Sequence, residues 1–247
     1  MGSISVRDES MRSVFLPLFQ FHRLACAFLA KHVRTVKTGI LLIAHLSLIG
    51  FFFPAYRNDY ASIAVNILIF LLFLSPLSVI TRMPLLRILM GLRRELGILT
   101  AYFALVHGLG YVFDPSFFSV FLGPYLFSDI FSIEAYILFG LTALLLTFPL
   151  LLTSNAWAQR TLGGARWKRL HRIAYALFVV VIVHRLGPAG FAGDSGKIAE
   201  AIITLGSYAA LKYLAWKEAS FPSLRRGIEN VGEAYAAFLA KRHAGGA

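Results

Sequence analysis

Apolar residues in this chain come in long unbroken runs separated by short polar stretches, not at the spacing of an amphipathic helix or strand. The runs are TGILLIAHLSLIGFFFPAY from Thr38, SIAVNILIFLLFLSPLSVI from Ser62, LGILTAYFALVHGLGYVF from Leu96, AYILFGLTALLLTFPLLL from Ala135, RIAYALFVVVIVHRL from Arg172 and KIAEAIITLGSYAALKYLAW from Lys197. About 20 helical residues cross a hydrocarbon core about 30 Å thick. The pattern therefore predicts an all-α, six-span transmembrane helix bundle over residues 38–217. The fifth span is short and needs its polar flanks to reach an interface.

The stretch 14–30 is apolar but interrupted by Gln20, His22 and Arg23, and Lys31, His32, Arg34 and Lys37 follow it. A cleaved leader places neither feature there, so residues 1–37 are expected to form an amphipathic segment on the cytosolic face. Residues 218–247 read as a cytosolic tail with one short surface helix.

Composition agrees with a membrane class: 58% of residues are hydrophobic, 15% are charged, and mean hydropathy is +0.71. The net charge of +12 raises the question of nucleic acid, and its distribution answers it. With the N-terminus in the cytosol, only Arg57, Arg185 and Lys197 of the 24 basic residues fall outside, whereas Asp59, Asp114, Asp129, Glu134, Asp194 and Glu200 all do. That is the positive-inside pattern, with both termini cytosolic and anionic lipid as the partner of the basic loops. No nucleic-acid partner is needed.

Four histidines lie in or beside the spans: His45, His107, His171 and His184. A neutral imidazole in hydrocarbon loses its water and gains nothing from lipid, so it calls for a partner. His107 lies twelve residues beyond Glu95, and His184 twelve beyond Arg172, on spans running the same way. At 1.5 Å per residue both sit about 18 Å along, at one depth. Two imidazoles at one depth are the axial pair of a b-type haem, and the small residues Ala104, Gly108 and Gly110 would let a flat macrocycle approach the backbone.

His171 lies about 20 Å below His184 and is the candidate ligand of a second, inner haem, with His45 at a compatible depth on the first span. Thirteen residues of ideal helix rotate His171 well away from the face of His184, so the helix is expected to be distorted, or His171 to face another neighbour. Arg172 follows His171 directly. Arg185 follows His184 and is a candidate partner for a haem propionate, with a lipid phosphate as the alternative.

Asp114 to Asp129 carries Phe117, Phe118, Phe121, Tyr125 and Phe127 and is expected to lie in the outer interface. Cys26 is the only cysteine, so there is neither an intrachain disulfide nor a cysteine-held iron–sulfur cluster. No dinucleotide-binding glycine motif follows a strand. An electron donor would have to be a separate protein or a membrane quinol.

The segments RRELGILTAYFALVH (93–107) and LLLTSNAWAQRTLGGARWKRLHRIAYALFVVVIVH (150–184) resemble the MsrQ/YedZ haem-binding membrane subunits of the ferric-reductase-like transmembrane superfamily. The resemblance covers roughly Ser75 to Leu186. It implies a six-helix b-type cytochrome of the bacterial inner membrane, carrying one or two haems b, with FMN and quinone as further candidate cofactors. Its electrons would come from a cytosolic flavin reductase or from quinol and go to a periplasmic molybdopterin reductase of the methionine-sulfoxide type. His107, His171 and His184 match the ligand positions of that family.

This chain departs from the family in two places. Glu134-Ala135-Tyr136 replaces the usual Arg-Pro-Tyr, and an N-terminal extension of about thirty residues is added. Two other readings stand beside this one: a ferric or superoxide-type reductase fed by a separate dehydrogenase, and a haem-free scaffold whose histidines only bridge helices.

Overall fold

The computed structural model describes residues 4–117, 119 and 135–220, all of whose regular elements are helical. Helix α1 runs Ile4–Leu46 with one non-helical residue, His32 (φ −110°, ψ 18°). Two 3-10 turns, Ser47–Phe52 and Pro54–Tyr56, lead into α2, Arg57–Thr81. Arg82 stops α2 in the left-handed region at φ 54°. Pro84 then opens the short α3, Pro84–Met90, where its missing N–H costs nothing. Helix α4 spans Arg93–Val112.

After the gap come α5 (Ala135–Leu152), α6 (Ala156–Leu170), α7 (Ile173–His184), the single-turn α8 (Gly187–Phe191) and α9 (Ser195–Ser220). Asn155 caps α6 by accepting the Ala158 N–H at 2.8 Å. Asp194 does the same for α9 through the N–H groups of Gly196 and Lys197.

Among the described residues five helices are long and apolar enough to cross a membrane: Arg23–Phe52, Pro54–Thr81, Arg93–Val112, Ala135–Leu152 and Ser195–Ala219. Helix α7, where a short fifth span was expected, is apolar but shorter than these. The chain is a multi-pass membrane protein. Helix α1 runs without a loop through the stretch read as a separate surface segment, kinked at His32, and the part long and apolar enough to cross is Arg23–Phe52. The expected C-terminal surface helix and most of the aromatic stretch after Phe117 fall outside the described residues.

Helix α4 is central: it packs on α1, α2 and α5, while α5 pairs with α7, and α9 closes the ring against α2 and α7. One core cluster joins Leu68 and Leu72 of α2, Ala143 of α5 and Leu177, Phe178 and Ile182 of α7, with Leu205 and Tyr208 of α9 against it. A second joins Ala44, Ala64, Leu99 and Phe103 of α1, α2 and α4. Between α2, α4, α5 and α7 the helices do not close, and that space holds the candidate site.

Candidate functional site

The gap is a cavity of about 1230 Å³ that follows α4 from Arg93 to Val112, about 28 Å of helix at 1.5 Å per residue. Its walls are mostly apolar. One end holds His107, Tyr111, Tyr136 and His184, and the other Arg93, Arg94, Trp167, Lys168, His171 and Arg172. Side chains small enough to leave this space open are part of the design. A Cβ on Gly140 would fall 2.7 Å from Cε1 of His184, and one on Gly108 would fall 2.9 Å from a Leu144 methyl.

His107 and His184 face each other with ring centroids 6.2 Å apart and planes 58° apart. Each ring is steered by a main-chain carbonyl in the first turn of a neighbouring helix. His107 Nδ1 is 3.1 Å from the Arg57 carbonyl of α2, and His184 Nδ1 is 2.6 Å from the Tyr136 carbonyl of α5. A carbonyl accepts only, so Nδ1 carries the proton in both rings and Nε2 is left as the nitrogen available to a metal.

An imidazole nitrogen binds a first-row metal at about 2.0–2.1 Å and stands about 1.1 Å from its ring centre, so two such rings across one metal have centroids about 6 Å apart. The observed spacing fits. Among the described residues no three His, Cys, Asp or Glu converge on one point, so a bare ion has no cage. A macrocycle bringing its own equatorial nitrogens needs only the two axial ones.

Tyr111 stands edge-on to His107, with centroids 5.2 Å apart, and its hydroxyl donates to Asn58 Oδ1 at 3.2 Å. Behind it Arg57, only 8% exposed, donates to Asp114 at 2.6 Å. That guanidinium, helped by Ser116 and Phe117 N–H groups, holds the Asp114 carboxyl down at about 2.

The other end is built differently. His171 lies in the break between α6 and α7, its Nε2 3.1 Å from the Thr153 hydroxyl and its ring stacked on Trp167 at 4.0 Å. Trp167 in turn donates to the Thr153 carbonyl. Burial lowers the His171 pKa, and Arg93 adds to this, while the Thr153 backbone partly offsets it. The chain leaves the regular helix at His171 and Arg172, and His171 and His184 both line the cavity.

Of the remaining sequence candidates, Arg172 lines the cavity. His45 does not: it lies between α1 and α4, with Nδ1 on the Leu41 carbonyl and Nε2 3.3 Å from the Tyr102 hydroxyl. Arg185 is also elsewhere, paired with Glu200 at 3.0 Å across the short turn into α9. Lys168, near His171 in sequence, also lines the cavity. Sequence reasoning passed over Arg57, although a basic residue on the face that the charge rule assigns to acids was the available signal.

Residues 60–182 match the family described as ferric reductase like transmembrane component. The haem-binding subunit MsrQ of protein-methionine-sulfoxide reductase from Azospira oryzae is 40% identical over 98 residues, 40% of either chain. The MsrQ subunit from Rhizobium meliloti is 39% identical over 93 residues, 37% of this chain and 40% of the relative. Magnetosome protein MamZ from Magnetospirillum gryphiswaldense is 33% identical over 167 residues, 67% of this chain and 24% of the relative. The chain thus spans about two fifths of the length of these MsrQ relatives and about a quarter of MamZ. No solved structure matches it. On its apolar helices, its histidine-lined cavity and these matches, the chain belongs to the ferric-reductase-like transmembrane family, among the proteins of MsrQ/YedZ type.

Proposed function

We propose that this chain is an electron-transfer subunit of a bacterial inner membrane, holding a b-type haem between His107 and His184 close to the outer face. The observation that carries the reading is the pair of facing imidazoles 6.2 Å apart, each with Nδ1 committed to a carbonyl. The haem iron, when bound, supplies reversible one-electron chemistry. The protein supplies two oriented nitrogens, a dry cavity and a fixed height in the membrane. The MsrQ names among the relatives support a methionine-sulfoxide-reductase type of acceptor on the outer side.

The charge pattern orients the bundle, with the Arg93, Arg94, Lys168 and Arg172 end facing the cytosol. Those four cations around His171 suit an anionic second cofactor, either a flavin phosphate or the propionates of a second haem. Among the described residues, His171 is the one histidine that lines that end of the cavity. Reducing equivalents from a cytosolic flavin reductase would pass through that position, while quinol oxidised near the outer face would bypass it. The family match equally supports a ferric-type acceptor fed by a separate dehydrogenase, and the nature of the outer partner separates the two readings.

The purified full chain should be red, with a Soret band that shifts and an α band that sharpens on dithionite. A colourless preparation that takes up no added haemin would sink the proposal and favour a haem-free scaffold. A reporter active only in the cytosol should work at the C-terminus and fail after Asp194, and the reverse result would overturn the orientation.

A further inference from the structure

Arg57 belongs to no part of the ligand set proposed above, yet it is one hydrogen bond from it. It opens α2 and is almost wholly buried. Its side chain lies against α4 at Gly110, where a Cβ would come within 3.0 Å of Nε and 3.3 Å of Cδ. Its guanidinium stands 5.5 Å over the Tyr111 ring and reaches Asp114 just beyond the end of α4. Asp114 is itself anchored, because its other oxygen accepts the N–H groups of Ser116 at 2.9 Å and Phe117 at 3.4 Å. The main-chain carbonyl of the same Arg57 meets His107 Nδ1. One residue therefore ties the start of α2 to the end of α4 with its side chain and steers a candidate iron ligand with its backbone.

Retaining this arginine is expensive. A cation on this face opposes the positive-inside pattern, and its Nε is buried with no hydrogen-bond partner among the described residues. Simple helix packing needs none of this, since an apolar residue beside Gly110 would do. What the ion pair adds is directional: it fixes where the Arg57 carbonyl stands. The bond from a ligating imidazole's second nitrogen sets both the ring's plane and its donor strength.

We propose that the Arg57–Asp114 ion pair is a positioning clamp that sets the orientation and donor strength of His107 as a haem ligand. The proposal rests on the haem reading above. Loosening the clamp frees the first turn of α2, lengthens the bond from His107 Nδ1 and lets its ring swing. The ligand becomes a weaker donor, so the ferric form loses stability relative to the ferrous one.

The test uses the full chain loaded with haemin in detergent, comparing Asp114→Asn with wild type and with Asp59→Asn, which removes a nearby carboxylate from the same turn of α2. In Asp114→Asn the largest g value of the low-spin ferric signal, which reports the angle between the imidazole planes, should move. The midpoint potential should rise, and haem should pass to a scavenger about tenfold faster. Asp59→Asn should leave the g value in place, and Asp114→Glu should restore it at least in part. If Asp114→Asn is recovered only as aggregate, Arg57→Lys, which keeps both charges but loses the fork, is read with the same measurements.

A haem-loaded Asp114→Asn or Arg57→Lys protein with the g value, potential and haem loss rate of wild type overturns the clamp. A wild-type protein without a low-spin signal overturns the haem reading, and the clamp with it, and is a distinct result.

Discussion

The two ends of the cavity use histidine in opposite ways. At the outer end two rings face each other, each held by a backbone carbonyl in another helix's first turn, with an ion pair behind one of them. At the other end a single ring sits in a helix break, held by a side-chain hydroxyl, stacked on an indole and surrounded by arginines and lysine. A carbonyl cannot rotate or change its role, whereas a hydroxyl can both donate and accept. The outer end is thus built to keep one geometry and one protonation state. The other end can accept a partner whose demands differ, and on the proposed function that difference would separate a permanent cofactor seat from a place where electrons are admitted.

The sharpest attack on this contrast is on the outer pair. His107→Ala or His184→Ala should each abolish the same low-spin signal, and the double variant should lose nothing more, because the two bonds serve one iron. Full haem retention in either single variant, measured by pyridine haemochrome, would break the pairing. Next comes Gly140→Ala, whose new methyl would press on the His184 ring at 2.7 Å. The ring must leave the Tyr136 carbonyl, and haem affinity should fall roughly tenfold, a drop that titration with haemin would reveal.

His171→Ala should leave the outer signal intact and its reduction by dithionite normal, yet slow its reduction by a flavin donor in stopped flow. Unchanged flavin-driven rates would point to quinol oxidised on the outer side. The smallest effect is expected from His45→Ala, which removes one interhelical contact to Tyr102. That should cost on the order of 0.6 kcal/mol of stability and leave every spectral feature alone.

Acidity probes the clamp. The Asp114 carboxyl sits at about 2 when folded, below an ordinary value of about 3.9. Its stabilisation is complete above the ordinary value and is lost only as pH falls through the folded one. The outer signal should therefore stay flat from pH 8 to pH 5.

The outer pair was legible in the sequence because depth along a helix is simple arithmetic, and His107 and His184 share a direction and a height. What arithmetic could not show was the break at His171 and Arg172. Rotation along an ideal helix called for a distortion or another neighbour without placing it, and the chain leaves the regular helix at His171 and Arg172 themselves. His45 was at a suitable depth, but depth says nothing about facing, and Tyr102 holds it between α1 and α4. Arg185 was read from its neighbour in sequence, whereas Glu200, on the next helix, is its partner in space. Gly110 was grouped with the small residues around a macrocycle, and it instead makes room for the arm of Arg57.

The carbonyls that hold the two outer rings bear on how the protein is made. The rings come from α4 and α7 and the carbonyls from α2 and α5, so each ring is gripped within one pair of consecutive spans, and the facing pair needs both. Four segments inserted one after another must come together before the two rings face each other. A half-built chain offers one gripped imidazole, and the completed bundle alone offers the pair. On the proposed function, loading with cofactor would thus be a late event in biogenesis and a natural inspection point, at which colour would report that the two halves have assembled.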